Sequence, residues 1–223
     1  MSQTFADLLK ERSGQNFSLH EAHLNTQMVK VLKTIGYDRV YTRAEGPYLF
    51  DREGERYLDL LSGFGVYAIG RNHPKVIAAL RDVLESELPD MVQMDVSLLS
   101  GLLAEAILEV CPDPLTKMFF CNSGTEAVEA AIKFARYTTQ REGVVYCEHG
   151  YHGLTLGSLS LNGEKVFREG FGPLLPGCAA VPFNDLAALE KALSGKDMAA
   201  FIVEPIQGKL NLPKGALSCV YLM

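Results

Sequence analysis

Three short apolar runs in this chain each end abruptly in residues that can do chemistry. KMFFC (117–121) gives way to Asn122-Ser123-Gly124-Thr125, GVVYC (143–147) to Glu148-His149-Gly150-Tyr151-His152-Gly153, and AAFIV (199–203) to Glu204-Pro205-Ile206-Gln207-Gly208. The runs lack polar–apolar alternation, so they read as strands buried on both faces. Helical sequence separates them, Glu126–Tyr137 between the first two and Leu186–Leu193 before the third. Strand–helix–strand alternation of this kind predicts a parallel α/β sheet. Open parallel sheets bind ligands beyond the carboxyl ends of their strands, which would put all three polar stretches on one lip.

Each stretch has a structural and a chemical reading. Ser123 with Glu126 three residues later fits a capping box, which alone would start the helix. The same atoms also suit a phosphate: free N–H groups at a helix start, the positive end of the helix dipole and two hydroxyl donors. Gly124 lets the backbone approach an anion closely. The sequence is not a Walker loop, which needs a Gly-x-x-x-x-Gly-Lys-[Ser/Thr] pattern. Tyr151 sits near two glycines, where its ring can stack on a planar heteroaromatic group or anchor the loop. His152 can hydrogen bond or titrate near neutral pH, or lie on the surface. Glu204 emerges from an apolar strand, where an unpaired carboxylate is costly; its alternative is a structural hydrogen bond to a neighbouring loop. An anion cradle, a stacking aromatic and a carboxylate together suggest a phosphorylated aromatic cofactor.

The elements that would position these residues are readable upstream as well. Residues 22–36 predict a helix ending at Gly36. Val40–Asp59 reads as extended, with a hairpin turn at Asp51-Arg52-Glu53-Gly54 in which Gly54 takes positive φ. The glycine-rich Ser62–Asn72 leads to His73-Pro74, and Pro74 suits the first turn of a helix running to about Leu88. Residues 97–110 carry leucine and alanine at helical spacing. Asn184 and Asp185 are candidate caps for the helix at Leu186. The reading is an amino-terminal α+β segment (1–72, helix and β-hairpin) followed by a larger α/β domain (73–223).

Size and composition narrow the class. At 223 residues, 48% hydrophobic and 22% charged, the chain has ample material for a globular core. A formal net charge of −6 argues against a nucleic-acid partner. No apolar run reaches membrane-spanning length, and the amino terminus lacks the apolar core of a signal peptide. The five cysteines are scattered, with no CxxC pair, so neither a disulfide framework nor a metal site is expected. They read as free thiols of a cytoplasmic protein.

Taken in order, GPYLFDREGERYLDLLSGFGVYAIGRNHPKV, FFCNSGTEAVEAAIKFAR, HGYHGLTLGSLSL and FIVEPIQG resemble the class III aminotransferases. These are fold-type I pyridoxal phosphate enzymes that include ornithine, acetylornithine and 4-aminobutyrate aminotransferases. The resemblance reaches to about Pro213. It implies a mostly parallel sheet flanked by helices, and transfer of an amino group from an amino donor to a 2-oxo acid. It implies that Ser123, Gly124 and Thr125 hold the cofactor phosphate, that Tyr151 stacks on the pyridine ring with His152 beside it, and that Glu204 supports the cofactor-side polar network. Phe64 falls where the family often has an aromatic lining the substrate pocket. Homodimers with active sites at the subunit interface are likewise implied.

The departures from the family are specific. The aspartate that pairs with the pyridinium nitrogen and the lysine that forms the Schiff base both follow the VEP motif in the family, and neither is found here. None of the eleven lysines has a matching context, so no catalytic residue is assigned. Lys133 reads as an exposed helix residue. Lys209 stands where many members carry glutamate, and Leu217–Met223 (LSCVYLM) matches no family feature. The expectation is therefore the front part of an aminotransferase with its sheet incomplete at the carboxyl terminus, ended by a premature stop or a shifted reading frame, with a short paralogue as the alternative. Such a chain would be inactive alone, or a non-catalytic module that binds the cofactor or pairs with an intact subunit.

Overall fold

The computed structural model describes residues 3–89 and 92–208. Lys209 and Leu217–Met223 lie outside the described residues. The chain divides into two compact units, Met1–Ser97 and Leu98–Met223.

The first unit opens with helices α1 (Phe5–Glu11), α2 (Asn16–His23) and α3 (Thr26–Thr34). The single helix expected over 22–36 is thus two. Asn25 breaks it by leaving helical φ/ψ and accepting a hydrogen bond from the Met28 N–H through its side chain, which starts α3 afresh. The extended region forms an antiparallel sheet of β1 (Tyr41–Glu45), β2 (Tyr48–Asp51) and β3 (Arg56–Leu58) in that order. The turn between β2 and β3 falls at Asp51–Gly54, as the sequence predicts, with Gly54 at φ +88° and its N–H donating to the Asp51 carbonyl. Helix α4 (Pro74–Glu85) begins with Pro74 in its first turn and belongs to this unit.

Asp51 locks the turn. Its side chain is 3% exposed and accepts hydrogen bonds from the N–H groups of Glu53 (3.1 Å) and Glu55 (2.9 Å) and from Tyr57 Oη (2.8 Å), with Arg39 3.7 Å away. Burial alone would raise the Asp51 carboxyl, but Tyr57, the two N–H groups and Arg39 outweigh it and hold it below its ordinary 3.8. A second carboxylate, Asp59, pairs with Arg71 Nη2 at 2.8 Å. Arg71 also exchanges backbone hydrogen bonds with Gly46.

The second unit begins with α5 (Leu98–Leu108) and α6 (Gly124–Thr139) and continues through β4 (Gly143–Cys147), α7 (Leu156–Ser160), α8 (Lys165–Arg168), β5 (Cys178–Val181), α9 (Leu186–Leu193) and β6 (Met198–Ile202). Its sheet is parallel, in the order β5-β4-β6. All five residues of β4 are buried, and Val144 and Val145 are 0% exposed. On one face Val144 and Tyr146 pack with Ile132 of α6 and Leu161. On the other Val145, Cys147 and Val181 pack with Leu189 and Ala192 of α9.

One strand expectation needs correction, and one strand was not expected. Residues 117–121 are not a strand: they form no ladder among the described residues, and Phe119 is 62% exposed. High β propensity does not make a strand without a hydrogen-bonded neighbour, and both edges of β4 are taken by β5 and β6. Conversely, CAAV (178–181) carries little strand signal, since alanine is depleted in strands, yet it pairs with β4 along its whole length.

Two outcomes follow. Because the Asp51 carboxyl is depressed, its contribution is present above the unfolded pKa and lost as pH falls through the folded one. Asp51→Asn lowers the urea midpoint at pH 7, and the gap between wild type and variant closes as pH falls below about 4; urea melts at both pH values check this. Leu161, 0% exposed, costs about 2–5 kcal/mol of stability when changed to Ala, measured in the same melts.

Candidate active site

The carboxyl end of β4 opens into the loop 148–153, and three other segments fasten that loop in place. The Glu148 N–H donates to the Val181 carbonyl, extending the β4–β5 ladder by one bond. Glu204, just beyond β6, accepts the Tyr151 N–H on Oε2 at 2.9 Å. Gln207, 5% exposed, donates through Nε2 to the Glu148 carbonyl at 3.0 Å. The predicted Glu204 carboxylate therefore ties two strand ends together, satisfying a loop donor that would otherwise lack a partner. The sequence places Gln207 in the same stretch as Glu204 but gives it no role of its own.

Within this loop Tyr151 is 49% exposed, its ring edge-on to Phe167 with centroids 5.7 Å apart. His152 is not a surface residue: it is 8% exposed, and its buried Nε2 has no hydrogen-bond partner among the described residues. Burial pushes the imidazole below its ordinary 6.5, and the nearby Glu204 carboxylate partly offsets this. His149 adopts φ +63° and pairs through Nδ1 with Glu164 at 2.7 Å. Cys147 is inert, its thiol pushed up to about 11 by burial and by Glu148.

Helix α6 begins beside the same loop. Ser123 is its N-cap, with φ −151° and ψ 160°, and its Oγ accepts the Glu126 N–H at 3.3 Å. The Glu126 carboxylate does not return to Ser123, as a capping box would require, but accepts the Asn122 N–H at 2.6 Å. The Gly124 and Thr125 N–H groups have no hydrogen-bond partner among the described residues. Open space surrounds the position a Gly124 Cβ would take. Thr125 Oγ1 points instead into a cluster with Thr155 Oγ1 (2.8 Å) and Ser158 Oγ (2.6 Å). Glu129, one turn further along α6, accepts Thr155 Oγ1–H and the N–H groups of Gly157 (2.8 Å) and Ser158 (3.1 Å). Glu129, Thr155 and Ser158 lie within the motifs named above but carry no assigned role in the sequence, because each is an ordinary polar residue until the fold brings them together. The space around Gly153 is correspondingly tight: its φ is +119°, and a Cβ there would lie 2.4 Å from Thr125 Oγ1.

The structure thus gathers Ser123, Gly124, Thr125, Tyr151, His152 and Glu204 around one loop of the second unit. Phe64 lies in the first unit at φ +58° and is 90% exposed. Among the described residues there is no group of three or more metal-ligating side chains and no helix long and apolar enough to cross a membrane.

His152 yields a direct check. Its imidazole titrates below 6.5 by proton NMR, and Glu204→Gln, which removes the neighbouring negative charge, moves it lower still. An unchanged His152 titration in that variant contradicts the geometry.

The chain is similar to known proteins in sequence and in fold. PigE, an aminotransferase of a Serratia species, is 41% identical over 187 residues, covering 83% of this chain and 22% of its own length. The acetylornithine aminotransferase of Methanopyrus kandleri is 41% identical over 176 residues, covering 78% of this chain and 45% of the relative. The solved ornithine aminotransferase of Toxoplasma gondii superposes with a TM-score of 0.75 at 27% identity, covering 96% of this chain and 51% of that one. The chain therefore spans between about a fifth and a half of the length of these relatives. Its helices and parallel sheet have the fold-type I architecture of the transaminases. The family model for class-III aminotransferases matches residues 32–211, a span that contains every residue of the site just described, and the chain belongs to that family.

Proposed function

We propose that this chain is the cofactor-holding portion of a pyridoxal phosphate-dependent aminotransferase that moves an amino group from an amino donor to a 2-oxo acid. The observation that carries the reading is the pair of unpartnered N–H groups at Gly124 and Thr125 beside the Tyr151 loop. These N–H groups would take the phosphate, together with the Ser123 hydroxyl, whose oxygen accepts from Glu126 while its hydrogen has no partner among the described residues. A hydrogen bond to a charged group contributes about 1.5–3 kcal/mol, against about 0.3–1 kcal/mol for the helix dipole, so the N–H groups dominate. Tyr151 would lie against the ring. His152, buried with a free Nε2, would present a neutral imidazole to the same region.

The residues present suit a phosphate ester on a planar ring. When bound, pyridoxal phosphate supplies the electron sink for chemistry at an amino-bearing carbon. The protein's part within this chain is to fix the phosphate, orient the ring and hold the loop at Tyr151 and Glu204. Under this proposal Lys133, ten residues into α6 and exposed, is not the reactive amine. In this reading residues 73–223 belong to the cofactor-binding domain and 1–72 to an amino-terminal segment, with Phe64 lining the substrate pocket. Two copies pair, a reading supported by α5, whose Leu98, Leu99, Leu102 and Leu103 are all exposed. The free thiols of Cys111, Cys121, Cys147 and Cys178 support a cytoplasmic setting.

Absorbance titration of the purified chain with pyridoxal phosphate tests this. Binding is saturable and reversible, Tyr151→Ala weakens it about tenfold, and borohydride treatment leaves no stoichiometric lysine adduct. A specific lysine adduct that supports turnover would overturn the assignment of roles.

A further inference from the structure

The hydroxyl cluster beneath the α6 start has a determined direction. An ionised carboxylate only accepts, so Thr155 gives its single hydroxyl hydrogen to Glu129 Oε1. Toward Thr125 Oγ1, 2.8 Å away, Thr155 can then only accept, and Thr125 is the donor. With its own hydrogen spent, Thr125 accepts across the 2.6 Å contact with Ser158 Oγ, which is shorter than the 3.1 Å contacts that Ser158 Oγ makes with the Thr155 carbonyl and Thr155 Oγ1. Donation therefore runs from Ser158 to Thr125 to Thr155 to Glu129. Thr125 Oγ1 also accepts the Thr155 N–H at 3.3 Å. A hydroxyl has one donor hydrogen and two acceptor lone pairs, and all three are now used inside the protein.

We propose that Glu129 is a positioning residue for the phosphate cradle, and that Thr125 serves the phosphate through its backbone N–H alone while its hydroxyl is committed to the Glu129 chain. This rests on the reading of the site as a pyridoxal phosphate cradle. Each member of the chain polarises the next, and the carboxylate at its end fixes the sense of the whole. Glu129 also takes the Gly157 and Ser158 N–H groups, so one carboxylate joins the second turn of α6 to the segment that follows the Tyr151 loop. The consequence is that the Thr125 backbone, which cannot turn without breaking this chain, holds its N–H group in place. Of the two hydroxyls flanking Gly124, only Ser123 keeps a hydrogen for a ligand.

The test is a double-mutant cycle read by equilibrium binding of pyridoxal phosphate and of pyridoxal, which lacks the phosphate, to the full chain. Thr125→Val and Glu129→Gln each weaken pyridoxal phosphate about 5–10-fold and leave pyridoxal within about twofold, because only the phosphate grip depends on the chain. The double variant is no weaker than about twofold beyond either single one. Thr125→Ser, which keeps the hydroxyl, stays within about twofold of wild type. If the two losses multiply, or if Thr125→Ser behaves like Thr125→Val, Glu129 does not act through Thr125 and the inference is overturned. Failure of the underlying reading looks different: the wild-type chain itself would show no preference for pyridoxal phosphate over pyridoxal.

Discussion

The burial of β4 is the constraint on which the rest of the second unit depends. A strand covered on both faces and paired on both edges has no freedom to slide: a one-residue slip would turn Val144 and Tyr146 out of one core cluster and Val145 and Cys147 out of the other. Its carboxyl end is therefore fixed, and the loop 148–153 leaves from a fixed point. Parallel β6 ends on the same side, which is why Glu204 and Gln207 can reach the Tyr151 N–H and the Glu148 carbonyl. The site is a consequence of strand direction before it is a consequence of any single side chain.

Against that frame the polar groups divide their work. Those engaged within the protein, Glu204 with Tyr151 and Glu129 with Thr155, Gly157 and Ser158, hold the loop and the start of α6 together. Among the described residues, the Gly124 and Thr125 N–H groups and His152 Nε2 are left without a partner, and these are the groups that the proposed cofactor would meet. Leaving a buried polar atom unpaired costs about 1–3 kcal/mol, and the fold retains that cost at His152 Nε2 and also at Gln207 Oε1 and Asn162 Oδ1. Glycine at 153 allows this packing, since any Cβ there would collide with Thr125.

Much of this was legible in the sequence, and the reasons for success and failure are physical. The Ser123 cap, the Asp185 cap of α9 and the Asp51–Gly54 turn are local devices, and each forms where the sequence predicts. The helix at 22–36 failed for an equally local reason, since Asn25 is an N-cap residue in the middle of a helical pattern. The wrong strand at 117–121 and the missed strand at 178–181 are of another kind. Strand identity is settled by hydrogen-bonded neighbours far along the chain, which apolarity alone does not report. The capping box was half right: Ser123 caps, but Glu126 reaches Asn122 instead. Glu129 was invisible because its partners lie 26 to 29 residues away.

The start of α6 is proposed to grip a phosphate through the backbone of Gly124 and Thr125. Amide-resolved NMR of the labelled chain, titrated in parallel with pyridoxal phosphate and with pyridoxal, addresses it most directly. The account predicts saturating downfield shifts of the Gly124 and Thr125 N–H signals with the phosphorylated ligand only. Binding of pyridoxal phosphate that leaves both signals in place, or moves them equally with pyridoxal, would contradict it.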